Sequence, residues 1–144
     1  MSDIVNNYRP LKVALLGAGS VGAQVARLLT ENKAELAARV GAELELAGIA
    51  VRDINSKRAE GVPTELLTTD ALSLIHSADI VIEVMGGIEP ANELAHIAIK
   101  NRKSIVTANK ALLASHGAEL FTAAYAQGED IYYEASVAGA IPII

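Results

Sequence analysis

The sequence predicts an α/β fold in which a parallel sheet carries helices on both faces. Short apolar segments of strand length alternate along the chain with segments whose apolar residues recur at helical spacing. Hydrophobic residues make up 51% of the 144 residues and aromatic residues only 3%, so Ala, Val, Leu and Ile must build the core. This composition is typical of a doubly wound sheet that is buried on both sides, and the length suits one domain.

The first strand, turn and helix contain the most informative motif. A strand is predicted at residues 12–16 and a helix at residues 20–32, and the turn between them reads Gly17, Ala18, Gly19, Ser20, Val21 and Gly22. In such a turn the first glycine permits the tight bend, the second lets a pyrophosphate approach the backbone, and the third lets the helix pack on its strand. We expect these six residues to bind a dinucleotide at the helix N-terminus. A tight turn without a ligand is the alternative.

The rest of the chain continues the alternation. Further strands are predicted at residues 45–51, 66–67, 80–84, 104–107 and 131–134, and further helices at residues 33–40, 71–75, 91–100 and 117–127. Gly41 is typical of a helix end, Asp70 of an N-cap and Pro90 of a helix start. In the first helix the apolar residues at helical spacing are Val21, Val25, Leu28 and Leu29, and in the helix after Pro90 we expect Leu94, Ala95 and Ala98 to face inward.

The composition of the two ends of the chain indicates the bounds of the predicted domain. Residues 1–10 read as a polar tail that ends at Pro10, and residues 11–144 as the domain itself. The last residues, Ile141-Pro142-Ile143-Ile144, are apolar and lack a polar cap. Because a complete domain rarely ends on such an exposed segment, we expect a second domain to follow.

Charge and composition exclude several function classes. The net charge of −5 and the lack of a basic run with interleaved aromatic residues argue against nucleic-acid binding. Cysteine is absent, so disulfides and thiolate metal sites are impossible. No apolar run approaches the roughly 18 residues that span a bilayer, and the polar start is unlike a signal peptide. The three histidines, His76, His96 and His116, show no ligand spacing and are expected to be solvated, the first and last near helix ends. A soluble, cytoplasmic protein is the default expectation.

The end of the second strand bears on which cofactor is preferred. The strand ends in Val51, Arg52 and Asp53. An acid at this place is typical of NAD-binding folds, and an arginine nearby is typical of NADP-binding folds. Arg52 lies 30 residues beyond Gly22, further than the usual figure of about 20, and the helix at residues 33–40 explains the excess. Arg52 favours NADP, Asp53 leaves NAD open, and a solvated surface cluster is the remaining alternative.

Three later strand ends carry candidate site residues. Met85, Gly86 and Gly87 could let a nicotinamide ribose approach the backbone, or could form a plain turn. Residues 107–110 end in Asn109 and Lys110, an amide and a cation that could face the cofactor and a substrate carbonyl; a solvated surface lysine is the alternative. At residues 134–140 a carboxylate beside exposed carbonyls suits a hard cation.

Three sequence blocks taken together resemble the N-terminal domain of homoserine dehydrogenases. They are residues 83–90 (Glu-Val-Met-Gly-Gly-Ile-Glu-Pro), residues 106–112 (Val-Thr-Ala-Asn-Lys-Ala-Leu) and residues 133–144 (Tyr-Glu-Ala-Ser-Val-Ala-Gly-Ala-Ile-Pro-Ile-Ile). The resemblance runs from about Leu11 to Ile144. It implies a Rossmann-type fold and the NAD(P)-dependent interconversion of aspartate 4-semialdehyde and homoserine, on the route to threonine and methionine. It also implies a homodimeric full-length enzyme.

The resemblance assigns roles to individual residues. The glycine motif would hold the pyrophosphate, Arg52 would contact the adenosine ribose or its phosphate, and the nicotinamide side would be lined by Met85, Gly86 and Thr107. Lys110 would be the catalytic residue where cofactor and substrate meet. Glu134 would bind a sodium ion together with the carbonyls of Val137, Gly139 and Ile141. Ala138 and Ala140 depart from the family pattern, which more often has glycine there.

The resemblance also implies that the family's substrate-binding acids and its second catalytic lysine would lie beyond Ile144, so this chain is expected to bind cofactor without turning over substrate. Two alternatives stay open. One is another amino-acid dehydrogenase, such as an aspartate dehydrogenase. The other is a non-catalytic nucleotide-sensing domain like those of potassium transport systems, which usually have an acid after the second strand and lack the Thr-x-Asn-Lys block. A dehydrogenase fused to an aspartokinase is disfavoured by the short N-terminal tail.

Overall fold

Six parallel strands form one sheet in the computed structural model, which describes residues 9–133. The strands are β1 (Leu11–Leu16), β2 (Leu44–Ala50), β3 (Leu67–Thr68), β4 (Ile80–Glu83), β5 (Ser104–Thr107) and β6 (Ile131–Tyr132). The helices are α1 (Ser20–Glu31), α2 (Lys33–Val40), α3 (Ala71–Ser77), α4 (Ala91–Lys100) and α5 (Lys110–Gln127), with a short 3₁₀ turn at Thr64–Leu66. The predicted α/β class is therefore confirmed.

The strand order is β3-β2-β1-β4-β5-β6, so the direction of winding reverses at β1. Leu16, at the end of β1, pairs with Ala50 of β2 on one side and with Glu83 of β4 on the other. In open α/β sheets the loops on either side of such a reversal leave a crevice beyond the carboxyl ends of the strands. The topology thus places a crevice directly above Leu16.

Each face of the sheet has its own apolar core. Val13 and Leu15 of β1 pack with Ala23, Ala26 and Leu29 of α1 on one face. Ala14 and Leu16 point to the other face, where the core is completed mainly by α3, α4 and α5. Because successive strand residues alternate between faces, a strand segment buried on both sides must be apolar throughout, as residues 13–16 of β1 are. This confirms the prediction of helices on both faces.

Most element predictions are confirmed to within one or two residues. Gly41 ends α2 in a left-handed conformation (φ 84°), and the Asp70 carboxylate caps α3 by accepting a hydrogen bond from the Ser73 backbone N–H at 3.1 Å. Leu94, Ala95 and Ala98 are buried, as expected. In the part of the chain that the structure describes, no helix is both long and apolar enough to cross a membrane.

The predicted start of the last helix at residue 117 is wrong. α5 begins seven residues earlier, at Lys110, because the Asn109 side chain caps it by accepting from the Leu112 backbone N–H at 3.0 Å. Gly117 is buried inside α5 and does not interrupt the helix. His116 is consequently in the middle of α5 and only half-buried, whereas His76 lies in the last turn of α3 as expected.

Asp79 joins the segment before β1 to the turn before β4. Its carboxylate accepts two hydrogen bonds from the Arg9 guanidinium and one from the Lys12 backbone N–H, all at 2.8 Å. The hydrogen bonds from Arg9, followed by that from Lys12, lower the pKa of Asp79 from 3.8 to about 2, against the opposing effect of partial burial. A carboxylate with a lowered pKa stabilises the fold above its unfolded pKa, and this contribution is lost as the pH falls through the folded value.

We therefore expect Asp79→Asn to lower the free energy of unfolding by about 0.5–1 kcal/mol at neutral pH, the range for a partly exposed ion pair. Urea titrations of both proteins from pH 7 to pH 2 measure this difference, which should shrink below pH 4. Glu60→Gln, which changes an exposed loop carboxylate, should have no effect at any pH. A difference that stays constant down to pH 2 would show that the Asp79 charge is irrelevant.

Candidate cofactor site at the carboxyl edge of the sheet

A crevice of about 320 Å³ lies at the carboxyl ends of β1, β2 and β4. It is lined by Gly17, Ala18 and Gly19 after β1, by Ala50, Val51, Arg52, Asp53, Ser56 and Arg58 at and after the end of β2, and by Val84 and Met85 after β4. Three segments that the sequence singled out separately are thus walls of the same crevice. A larger cavity of about 570 Å³, near Lys33 and Glu45 at the amino edge of the sheet, contains none of the predicted site residues.

The three glycines of the motif differ in how closely other atoms surround them. Gly17 has φ +107°, and a Cβ there would lie 3.1 Å from the Val84 carbonyl oxygen. A Cβ on Gly22 would lie 2.9 Å from the Gly17 carbonyl carbon, so α1 packs directly against the turn. A Cβ on Gly19 would meet no atom within 4 Å, because Gly19 borders the open crevice. The first and third glycines therefore serve the fold, whereas the space at the second is available to a ligand.

The first turn of α1 lacks the side-chain cap that α3 and α5 have. Its N-cap is Gly19, which has no side chain, whereas Asp70 and Asn109 cap the other two helices. Ser20 and Val21, the next two residues, are exposed. Unpaired amides at a helix N-terminus, together with the helix dipole, favour an anion such as a pyrophosphate.

The two charged residues that follow β2, Arg52 and Asp53, differ in whether their side chains already have partners. Arg52 is exposed and makes no hydrogen bond or ion pair with any residue in the range 9–133. The Asp53 carboxylate instead accepts from the Asn55 backbone N–H at 2.9 Å and from the Ser56 hydroxyl at 3.1 Å. Arg58 donates to the Asp53 carbonyl oxygen and also lines the crevice. Arg52 and Asp53 are both exposed, but Asp53 already accepts hydrogen bonds within its own turn, whereas the Arg52 side chain is available to a ligand.

Glu83, the first residue of the motif at residues 83–90, has no role predicted from the sequence and is fully buried at the end of β4. Its carboxyl group accepts hydrogen bonds from the Met85 backbone N–H at 2.9 Å, the Thr107 hydroxyl at 2.6 Å and the Asn109 side-chain amide at 3.3 Å. The only signal in the sequence was an acidic residue at the end of an otherwise apolar strand. The Thr107 hydroxyl is buried in this network rather than open to the crevice.

Asn109 connects the network to the loop after β4 and to α5. Its amide donates to the Gly87 carbonyl oxygen at 2.6 Å, while its side-chain oxygen caps α5. Lys110 is the first residue of α5 and is exposed, and its ammonium contacts no partner within the described range. Thr107 and Lys110 thus lie beside the crevice, one strand away from the residues that line it.

The predicted sodium site cannot be placed, since Glu134, Val137, Gly139 and Ile141 all lie outside the described residues. Within residues 9–133 no group of three or more His, Cys, Asp or Glu side chains could hold a metal ion. Gly86 follows Met85 in the loop after β4 and is exposed, with φ +76°. The nicotinamide roles of Met85, Gly86 and Thr107 stay predictions.

The fold and the glycine motif define a dinucleotide-binding domain of the Rossmann type. A family model described as the NAD-binding domain of homoserine dehydrogenase matches residues 17–134. The chain is 58% identical over 134 residues to homoserine dehydrogenase of Corynebacterium glutamicum, covering 92% of this chain and 30% of that protein. It is 50% identical to the Mycobacterium tuberculosis enzyme, covering 94% and 31%. The chain belongs to the homoserine dehydrogenase family and contains its NAD-binding domain.

Solved structures agree with this assignment. A homoserine dehydrogenase from Thiobacillus denitrificans superposes with a TM-score of 0.84 at 43% identity, covering 94% of this chain and 32% of that one. A hyperthermophilic archaeal homoserine dehydrogenase in complex with NADPH has the same fold, with a TM-score of 0.70 at 23% identity, covering 94% and 47%. The chain spans about 30% of the length of the curated relatives it matches. These matches favour this family over the aspartate dehydrogenase and sensor-domain alternatives.

We expect Gly19→Val to abolish NADPH binding while leaving the fold intact. The new side chain would enter open space, so the melting temperature should hardly change, but it would fill the volume that a pyrophosphate needs. Isothermal titration calorimetry measures the binding, and circular dichroism the melting.

Two further variants make the comparison specific. Gly117→Ala adds a methyl group at ordinary contact distance inside α5 and should affect neither property adversely. Gly22→Ala should lower stability as well as binding, because its Cβ meets the Gly17 carbonyl group. Unchanged NADPH affinity in Gly19→Val would remove the glycine motif from the site.

Proposed function

We propose that this chain is the cofactor-holding part of a homoserine dehydrogenase that interconverts aspartate 4-semialdehyde and homoserine with NAD(P). The observation that carries the proposal is the crevice above Leu16, where the uncapped start of α1, the open face of Gly19 and the free Arg52 meet. A dinucleotide needs an anion site and a ribose site in one crevice, and both line the crevice at this edge of the sheet. The family assignment supplies the reaction.

Each part of the site has a proposed task in that reaction. The first-turn amides of α1 hold the pyrophosphate, and the residues after β2 hold the adenosine ribose. The loop of Met85 and Gly86 forms the wall on the nicotinamide side. The bound nicotinamide supplies or accepts the hydride, and the protein's part is to hold it against the substrate and exclude water.

We propose NADP as the preferred cofactor. A free guanidinium at Arg52 suits the 2′-phosphate that distinguishes NADP from NAD, and Arg58 adds a second positive charge to the same wall. The acid that would accept from the ribose hydroxyls of NAD is Asp53, whose carboxylate already accepts two hydrogen bonds within its own turn. These contacts favour NADP over the NAD alternative that the sequence left open.

Lys110 is proposed as the catalytic residue of the chain. It is exposed at the start of α5, next to the loop that follows β4, and its ammonium contacts no partner within residues 9–133. A fixed cation there would orient the substrate and stabilise the oxygen that gains negative charge when hydride reaches an aldehyde.

The remaining family properties are also proposals for this chain. They are a sodium site at Glu134 with the carbonyls of Val137, Gly139 and Ile141, a homodimeric full-length enzyme, a cytoplasmic location and a place in threonine and methionine synthesis. We further propose that the 144-residue chain binds cofactor but does not oxidise homoserine by itself. Its relatives are about three times as long, and hydride transfer requires substrate and nicotinamide to be held together.

If Arg52 contacts the 2′-phosphate, Arg52→Ala should weaken NADPH binding by about 1.5–3 kcal/mol, the worth of a charge-assisted hydrogen bond. NADH binding should barely change, since NADH lacks that phosphate. Calorimetric titrations of both cofactors test this, with Arg39→Ala on the exposed face of α2 as the control. Equal losses for the two cofactors, or none for either, would make Arg52 a solvated surface residue.

In a full-length enzyme that contains this domain, Lys110→Ala should reduce kcat by about 10²–10³, the scale for removing one stabiliser of developing charge. The melting temperature should stay unchanged because the lysine is exposed. Lys100→Ala, which removes an exposed lysine from the far end of α4, is the matched control and should leave kcat unchanged. A lower melting temperature with intact kcat would instead identify Lys110 as structural.

A further inference from the structure

The two segments proposed for the nicotinamide side follow different strands of the sheet. Met85 and Gly86 follow β4, and Lys110 follows β5 by way of Asn109. Neighbouring parallel strands fix their own backbones by ladder hydrogen bonds, but the loops beyond them are not held by the ladder. Apart from one backbone hydrogen bond, from the Ala108 N–H to the Glu83 carbonyl oxygen at 3.3 Å, some other interaction must therefore set the distance between the two segments.

The buried carboxyl group of Glu83 provides that interaction. One of its oxygens, Oε1, accepts from the Met85 backbone N–H and from the Asn109 side-chain amide, at 2.9 and 3.3 Å. The other, Oε2, accepts from the Thr107 hydroxyl at 2.6 Å. The donors are Met85 in the loop after β4, and Thr107 and Asn109 at and after the end of β5, which lie 22 and 24 residues further along the chain. A single side chain thus holds both segments.

The loop after β4 closes back on the same network. Gly86 and Gly87 both have positive φ, 76° and 74°, a conformation that side chains other than glycine rarely adopt. Two such residues in succession turn the backbone towards α5, where the Gly87 carbonyl oxygen accepts from the Asn109 amide at 2.6 Å. Asn109 also caps α5, so the start of that helix, and with it Lys110, is tied to the loop.

We propose that Glu83 is a positioning residue, which sets the nicotinamide half of the site by joining the loop after β4 to the start of α5. This inference rests on the proposed function, because it takes Met85, Gly86 and Lys110 as the nicotinamide side. Glu83 is fully buried and acts through Met85 and Asn109 rather than on the cofactor itself. The adenosine half of the site, around Gly19 and Arg52, is built by other contacts.

This division can be measured with two ligands. NADPH occupies both halves of the site, whereas adenosine 2′,5′-bisphosphate contains only the adenosine half. Glu83→Ala removes the acceptor of the Met85 N–H and of the Thr107 hydroxyl, and one of the two acceptors of the Asn109 amide. The Kd for NADPH should therefore rise about tenfold, as expected when buried donors lose a partner. The affinity for adenosine 2′,5′-bisphosphate should stay within about twofold, because its contacts are untouched.

Two more variants separate positioning from general stability. In Glu83→Gln the amide oxygen can still accept from Met85 and Asn109, and its N–H₂ can donate to the Thr107 hydroxyl, so NADPH affinity should recover to within about threefold of the original. Asn109→Ser keeps a good N-cap for α5 but loses the reach to Gly87 and Glu83, so it should behave like Glu83→Ala. Glu93→Gln, an exposed carboxylate on α4, is the control and should change neither affinity.

Calorimetry with the 144-residue chain gives both affinities, and circular dichroism establishes that each variant is folded. Selective loss of NADPH affinity in Glu83→Ala and Asn109→Ser, with recovery in Glu83→Gln, supports the proposal. If Glu83→Ala does not fold, the comparison of Asn109→Ser with Glu83→Gln decides in the same way. Equal losses for both ligands, or no loss for NADPH, overturn it. An unmodified chain that binds neither ligand would instead refute the proposed function.

Discussion

The pairing of β1 with β2 on one side and β4 on the other is the constraint on which the rest of the structure depends. Because β1 is central, Leu15 and Leu16 are buried on opposite faces, and each face needs helices to cover it. Because the winding reverses at β1, the loops after β1 and β4 diverge and leave the crevice between them. One strand therefore determines both where the cores lie and where a ligand can enter.

The two sides of this reversal are stabilised by different means. After β1 the backbone itself provides the contact, since Gly22 lies so close to the Gly17 carbonyl that no side chain fits between α1 and the turn. After β4 a polar network does so, centred on the buried carboxyl group of Glu83. A buried polar group is tolerated only when its hydrogen bonds are made, and here each carboxyl oxygen has at least one donor. The contact between Gly22 and the Gly17 carbonyl group leaves no room for a side chain. The Glu83 network, in contrast, joins the loop after β4 to the residues after β5 by hydrogen bonds from backbone and side-chain donors.

Local signals made most of the fold predictable. Asp70 caps α3 and Gly41 ends α2 through their own backbone neighbours, so residue type alone was sufficient. The buried face of α1 was less clear, because Val21 and Leu28 are exposed while Gly22, Ala23, Ala26 and Leu29 are buried. Small residues bring α1 close to the sheet, and apolarity by itself does not reveal that preference. The sequence does not reveal the start of α5, because the capping role of Asn109 depends on its contact with Leu112 and Gly117 is unusual inside a helix.

The site was predictable only in part. The glycine motif and the end of β2 follow fixed positions along the chain, and the structure brings them to one crevice. The role of Glu83 depends on Thr107 and Asn109, which lie on the next strand, and no spacing along the chain reveals such a partnership. Whether Asp53 or Arg52 is open to a ligand depends similarly on the turn that Asp53 forms with Asn55 and Ser56.

The central claim is that the crevice above Leu16 binds the dinucleotide. Titration of NADPH into the ¹⁵N-labelled chain, followed by amide chemical shifts in two-dimensional NMR spectra, tests it directly. The account predicts the largest shifts at residues 17–22 and 51–58, with smaller ones at Met85 and Gly86. Shifts concentrated at the amino edge of the sheet, around Lys33 and Glu45, or no saturable shifts at all, would contradict it.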